Sequence, residues 1–131
     1  MQTQTQLFKT EAELVTAYRA YLNQERGITT QTEVSCGKGF AADLVSAQTV
    51  WEAKLILDRE HLYQALGQVM SYRRHLNKPK AAIFGLSPTE PQSNRQAQRI
   101  AAWLRPNHPR LWVLFVDTDL RFIHFIRGKT A

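Results

Sequence analysis

Cysteine is nearly absent from this 131-residue chain, where Cys36 stands alone. One thiol excludes an internal disulfide framework and a zinc site built from several cysteines, and it suits a reducing cytoplasm. Four histidines, at 61, 75, 108 and 124, are scattered without metal-ligand spacing. No apolar run approaches the roughly 18 residues of a membrane span. Met1 to Gln6 is polar and uncharged, unlike the basic start and apolar middle of a secretory leader. No repeat or low-complexity segment follows that short Gln/Thr opening. Acidic groups also thin out along the chain. Residues 61–131 hold three Asp/Glu against eleven Lys/Arg, whereas residues 1–60 hold eight against six.

That asymmetry places an acidic centre in the first half and an anion-facing surface in the second. A basic surface fits nucleic acid, since neutralised phosphates release counterions; it equally fits a plain solubilising face. With 44% hydrophobic and 21% charged residues the composition is globular rather than disordered, and the length is that of one domain spanning 1–131.

Periodicity supplies the elements. Leu14, Tyr18, Tyr21 and Leu22 share one face of a helix from about Glu11 to Asn23, opened by a Thr10-x-x-Glu13 capping box and closed by Gly27. Thr29–Ser35, Phe40–Val45 and Thr49–Ile56 read as three strands in hairpin sequence. Arg59–Leu76 reads as a long helix with Leu62, Leu66, Val69 and Leu76 on its apolar side, and Lys80–Leu86 as a buried strand. After a loop from Ser87 to Pro91, a third helix is expected over Gln92–Leu104, capped by Ser93 or Asn94 and stopped by Pro106. Two β-rich runs, Leu111–Val116 and Leu120–Ile126, read as a closing hairpin about Asp117-Thr118-Asp119. The fold class is therefore α/β, an α-β-β-β-α-β core followed by an α-β-β extension, with a mixed sheet flanked by helices. Trp51, Trp103 and Trp112 each lie in an apolar setting and are expected in the core.

The chemistry-bearing residues gather at the second hairpin. Side chains alternate across a strand, so Glu52 and Lys54 leave one face while Trp51, Ala53 and Leu55 leave the other. A turn centred near Ala47 sets Asp43 directly or diagonally opposite Glu52. One reading is an ordinary cross-strand ion pair on an exposed face. The other is a site in which two carboxylates hold a hard cation such as Mg²⁺ beside an ammonium group. Glu11 lies on the same helical stripe as Leu14, Tyr18 and Leu22. It is either a dipole-favoured acid in the first turn or an acid turned toward that site. Gln68 and Tyr72, four apart at the border of the second helix's apolar face, are placed either to bond a phosphate or the lysine, or simply to mark the helix boundary.

Together, Asp43, Glu52-x-Lys54, the helical Glu11 and Gln68-x-x-x-Tyr72 resemble the PD-(D/E)xK nuclease superfamily. Q-x-x-x-Y is similar to its RecB-like branch, and the Glu-x-x-Leu start resembles archaeal Holliday-junction resolvases. The element order over roughly residues 8–87 matches that superfamily's restriction-endonuclease-like core; Ala42 stands where a proline often precedes the aspartate. The resemblance implies an Mg²⁺-dependent endodeoxyribonuclease acting on DNA, with Mn²⁺ as a substitute metal; the single cysteine places it in the cytoplasm, and cutting both strands of a duplex calls for a homodimer or higher homo-oligomer. Asp43 and Glu52 would ligate the metal, with a carbonyl near Ala53, and Glu11 would hold it through water or bind a second ion. Lys54 would orient the attacking water, and Gln68 and Tyr72 would fix substrate or lysine. Arg73, Arg74, Lys78, Lys80, Arg95 and Arg99 are the expected nucleic-acid contacts. Two other classes fit the same residues: a non-catalytic nucleic-acid-binding regulator, and a structural protein with an incidental ion-pair hairpin.

Overall fold

Five strands in the order β1-β2-β3-β4-β5 form one mixed sheet in the computed structural model, which describes residues 6–130. The elements are α1 (Glu11–Arg26), β1 (Gln31–Ser35), β2 (Ala41–Val45), β3 (Thr49–Ile56), α2 (Arg59–Leu76), β4 (Lys80–Leu86), α3 (Pro91–Asn107), β5 (Leu111–Phe115), a 3₁₀ turn (Val116–Thr118) and α4 (Leu120–Thr130). Neighbours β1, β2 and β3 pair antiparallel, and β3, β4 and β5 pair parallel. The first six elements follow the expected α-β-β-β-α-β order. Among the described residues no helix is long and apolar enough to cross a membrane.

Local signals account for most boundaries. Thr10 caps α1 by accepting the Glu13 N–H at 3.1 Å, and Gly27, at φ 64, ends it with a left-handed residue. Asp58 caps α2 by accepting the His61 N–H at 2.9 Å, and Asn77 at φ 54 stops it ahead of Pro79. The third helix is longer than its apolar period predicts. Glu90, not Ser93 or Asn94, is the cap, accepting the Gln92 and Ser93 N–H groups at 2.9 and 2.7 Å. Pro91 then opens the helix, a position where its missing donor costs nothing. Pro106 falls inside the last turn, where the carbonyl it leaves unpaired belongs to exposed Ala102 and meets water.

The expected closing hairpin is not there. Residues 120–126 are helical, so the extension after the core is α-β-α. Asp119 Oδ1 accepts the Arg121 and Phe122 N–H groups at 3.1 and 3.4 Å, which makes the acidic segment a helix start rather than a strand turn. Phe122, buried, and Phe125 and Ile126 beyond it stand three and four residues apart on one face. That spacing outweighs the β-rich composition.

Two cores cover the two faces of the sheet. Leu62, Ala65, Val69 and Tyr72 of α2 and Ala97 and Leu104 of α3 pack with Val50, Ala81 and Ile83 on one side. On the other, Leu14, Tyr18 and Leu22 of α1 and Phe122 of α4 pack with Leu44, Trp51 and Phe84. Trp51 belongs to this second core, but Trp103 and Trp112 are exposed, against expectation. An apolar neighbourhood in sequence does not decide which side of a helix or edge strand faces water.

Candidate active site

The β2–β3 hairpin builds the site. Val45 pairs with Val50 and Leu44 with Trp51, and continuing that register sets Asp43 opposite Glu52. The regular ladder gives way at this point, because the Ala53 N–H donates to Asp43 Oδ2 at 2.8 Å instead of joining it. The outer ladder is interrupted opposite Asp43 as well. Thr32 pairs with Leu44 and Val34 with Ala42, leaving Glu33 between them unpaired at φ 51, a left-handed conformation that strains a glutamate. A backbone N–H thus fixes the Asp43 carboxylate, at a point where the pairing on both sides of β2 is irregular.

Glu52 is the buried member of the pair, 5% exposed, and its Oε1 has no hydrogen-bond partner. Burial, then the Asp43 charge, then a hydrogen bond shared with the Asp43 carboxyl raise its pKa to about 8 against the opposing pull of Lys54. Two adjacent carboxyls, one of them buried, need either a proton or a cation between them.

Lys54, two residues on, shares the Glu52 face and is half-buried. Its strand neighbour on β4 is Gly85. A Cβ at Gly85 would meet the Lys54 carbonyl and approach Leu57 Cγ to 2.8 Å. The strand register shifts between Lys54 and Ile56, and the close approach of β4 to Lys54 requires glycine.

Three helical side chains complete the surroundings. Glu11, at the start of α1, has its pKa raised chiefly by burial and then by Asp43, while Lys54 and His61 pull it down. The acid thus stands near enough to the hairpin to feel its charges, but the residue is exposed rather than turned in with the apolar face as its helical phase suggests. Tyr72 of α2 is buried, and burial followed by the charges of Glu52, Cys36 and Asp43 raises its phenol. Gln68, one turn earlier, leaves its Oε1 buried and unpaired. The structure thus brings Asp43, Glu52, Lys54, Glu11 and Tyr72 into one electrostatic neighbourhood, with Gln68 on the same stripe of α2. Among the described residues no three His, Cys, Asp or Glu side chains converge as a ready metal cluster.

The expected basic contacts divide into two groups. Arg73 donates to the Lys78 and Pro79 carbonyls at 3.3 and 3.1 Å, and Lys78 Nζ donates to the Ala47 carbonyl at 3.2 Å. Lys80 Nζ lies 5.6 Å from the centre of the Trp112 ring. These three are engaged by the protein near the start of β3, about 16 Å along the strand from Lys54; Arg74 beside them is exposed. Arg95 and Arg99 instead line an open groove of about 670 Å³ between α2 and α3. Both helices begin at the carboxyl ends of β3 and β4, the end of an α/β sheet where ligands bind.

Arg59 and the exposed Tyr63 share that groove and escape a reading of the sequence, which does not show that α2 and α3 pack side by side. Gly85 escapes it too: its only signal is a glycine inside an otherwise apolar strand. No protein-family model matches the chain, and no curated protein or solved structure matches it significantly.

Proposed function

We propose that this chain is a metal-dependent nuclease of the PD-(D/E)xK type that hydrolyses DNA phosphodiester bonds. The observation that carries this reading is the adjacent Asp43–Glu52 carboxyl pair, Glu52 buried with one oxygen unpartnered and Asp43 half-buried, held beside the Lys54 ammonium. Burying an acid against a second one is costly unless they serve a cation or a reaction. The element order and the mixed sheet support the same family.

The donor set fits Mg²⁺, with Mn²⁺ as a substitute: hard carboxylate oxygens from Asp43 and Glu52, and Glu11 approaching from α1. When bound, such an ion polarises a phosphate and lowers the pKa of water in its shell. The remaining work falls to the chain itself. The Ala53 N–H holds the Asp43 carboxylate in a fixed orientation. Lys54 orients the attacking water and offsets negative charge growing on the phosphate. Gln68 Oε1 offers the lysine or that water an acceptor, and the Tyr72 hydroxyl, kept protonated by its neighbours, donates to phosphate oxygen.

Arg59, Arg95 and Arg99 give the phosphate backbone a path at the same end of the sheet, with Tyr63 exposed among them. Cutting both strands of a duplex calls for two such sites, which a symmetric homodimer supplies. Incubating the chain with plasmid, linear, branched and single-stranded DNA under Mg²⁺, Mn²⁺ or EDTA tests the reading. Cleavage of at least one substrate, abolished by EDTA, is expected. Intact DNA in every arm, with no metal bound by Asp43 and Glu52, would sink it.

A further inference from the structure

The opposite face of the sheet carries a second cleft, of about 310 Å³, between the end of α1 and the first halves of β3, β4 and β5. Its floor is a row of residues in register: Trp51 pairs with Ala82, and Ala82 with Trp112. Side chains of one row leave the same face, so two indoles flank the small methyl of Ala82. Two strand spacings separate their backbones by about 9.6 Å. Trp51 is packed against Tyr18 and Phe84, with ring centroids 5.7 and 6.3 Å away, so Trp112 is the indole with an open face.

Two donors of this cleft, the Trp51 N–H and the Arg26 guanidinium, have no hydrogen-bond partner among the described residues. Trp51, 8% exposed, has its indole N–H buried without an acceptor. A buried donor in that state is rare and calls for an acceptor from outside the chain. Arg26 and Lys80 line the same cleft, and among the described residues neither has a carboxylate at ion-pair distance. Lys80 lies over the Trp112 ring, and Trp112 is 41% exposed at the mouth. Asp119 is the one acid of the lining, and it already accepts two N–H groups at the start of α4. Its remaining lone pairs suit an amino group.

We propose that this cleft binds a nucleotide, the base stacked on the exposed Trp112 ring and the phosphate held by Lys80 and Arg26. The base supplies the ring acceptor that the Trp51 N–H lacks, and an exocyclic amino group reaches Asp119. The chemistry is the same for a free nucleotide and for the terminal nucleotide of a strand. The cleft lies across the sheet from Glu52 and Lys54, so the site stands independently of the nuclease reading.

Tryptophan fluorescence of the full chain tests it, in EDTA and with Trp103→Phe so that only Trp51 and Trp112 report. Titration with AMP is expected to quench saturably, and inorganic phosphate alone to leave the signal unchanged. Trp112→Ala and Lys80→Ala should each weaken AMP at least about tenfold, the size of a lost base stack or phosphate contact, while Lys54→Ala binds as before. A 5′-phosphorylated oligonucleotide that quenches when AMP does not, and loses this with Trp112→Ala, supports the proposal with the strand end as ligand. Quenching by neither ligand, or binding unchanged in Trp112→Ala, overturns it; circular dichroism confirms that the variants are folded.

Discussion

Lys54 and Gly85 face each other across the parallel β3–β4 pair, and the Lys54 carbonyl occupies the space a Cβ on Gly85 would need. The lysine's place is therefore set from the neighbouring strand. Gly85→Ala must push β3 away, since the obstacle is backbone rather than the end of a flexible side chain. We expect a loss of about 1–3 kcal/mol in denaturant unfolding, the usual range for overpacking. Cleavage measured well below the melting temperature should fall as well, because Lys54 moves. Unchanged stability would show that β3 yields freely at this point.

Glu52 gives the metal-free protein a particular pH dependence. Its folded pKa of about 8 exceeds the ordinary 4.5, so the folded state keeps a proton that the unfolded chain has released between these values. Stability contributed by this group is thus full below about 4.5, declines as pH rises and is lost above about 8. Across that window each pH unit costs at most about 1.4 kcal/mol, so the decline is on the order of a few kcal/mol. Glu52→Gln, which stays neutral, should flatten this part of the profile. Parallel melting curves of the two proteins in EDTA from pH 5 to 9 would refute the assignment.

The same protonation makes metal binding measurable without any substrate. Below about pH 8 the Glu52 carboxyl must give up its proton to ligate a cation. Calorimetry at pH 7 in buffers of different ionisation enthalpy should report close to one proton released per Mg²⁺ bound, falling toward zero at pH 9. Release that does not change between these pH values would place the metal elsewhere.

The basic residues should separate by role. Arg95→Ala combined with Arg99→Ala is expected to lower DNA affinity and flatten its dependence on salt, by about 0.7–0.9 in log–log slope for each phosphate contact removed. Arg73→Ala should chiefly lower stability, because its guanidinium holds the Lys78 and Pro79 carbonyls at the α2–β4 connection. Filter binding across a salt series, beside thermal melts, distinguishes the two. Equal effects on affinity from both changes would contradict the groove assignment.

Much of the first two-thirds of the chain was legible because local chemistry agrees with the fold. Thr10, Gly27, Asp58 and Asn77 mark helix ends by their own side chains or backbone, and period-two alternation places Glu52 and Lys54 together. The facing of Asp43 and Glu52 follows from one short turn. What escaped depends on contacts distant in sequence. Gly85 matters only because β4 lies against the irregular end of β3, and the Arg59–Tyr63 groove exists only because α3 packs beside α2. Residues 120–126 mix branched and aromatic residues that suit a strand. Their helical state is set by the Asp119 cap and by burial of Phe122 against Tyr18 and Tyr21, with ring centroids 5.4 Å apart in both pairs.

The central claim is that Lys54 acts on DNA beside a metal held by Asp43 and Glu52. Its most direct test is the Mg²⁺-dependent cleavage rate of Lys54→Ala against the unaltered chain, on whichever substrate the unaltered chain cuts, with folding checked by circular dichroism. The account predicts a folded variant that still binds Mg²⁺ and DNA but cleaves about 10²–10³-fold more slowly, the loss expected when one group aimed at developing charge is removed. Cleavage at the original rate by the folded variant would contradict it.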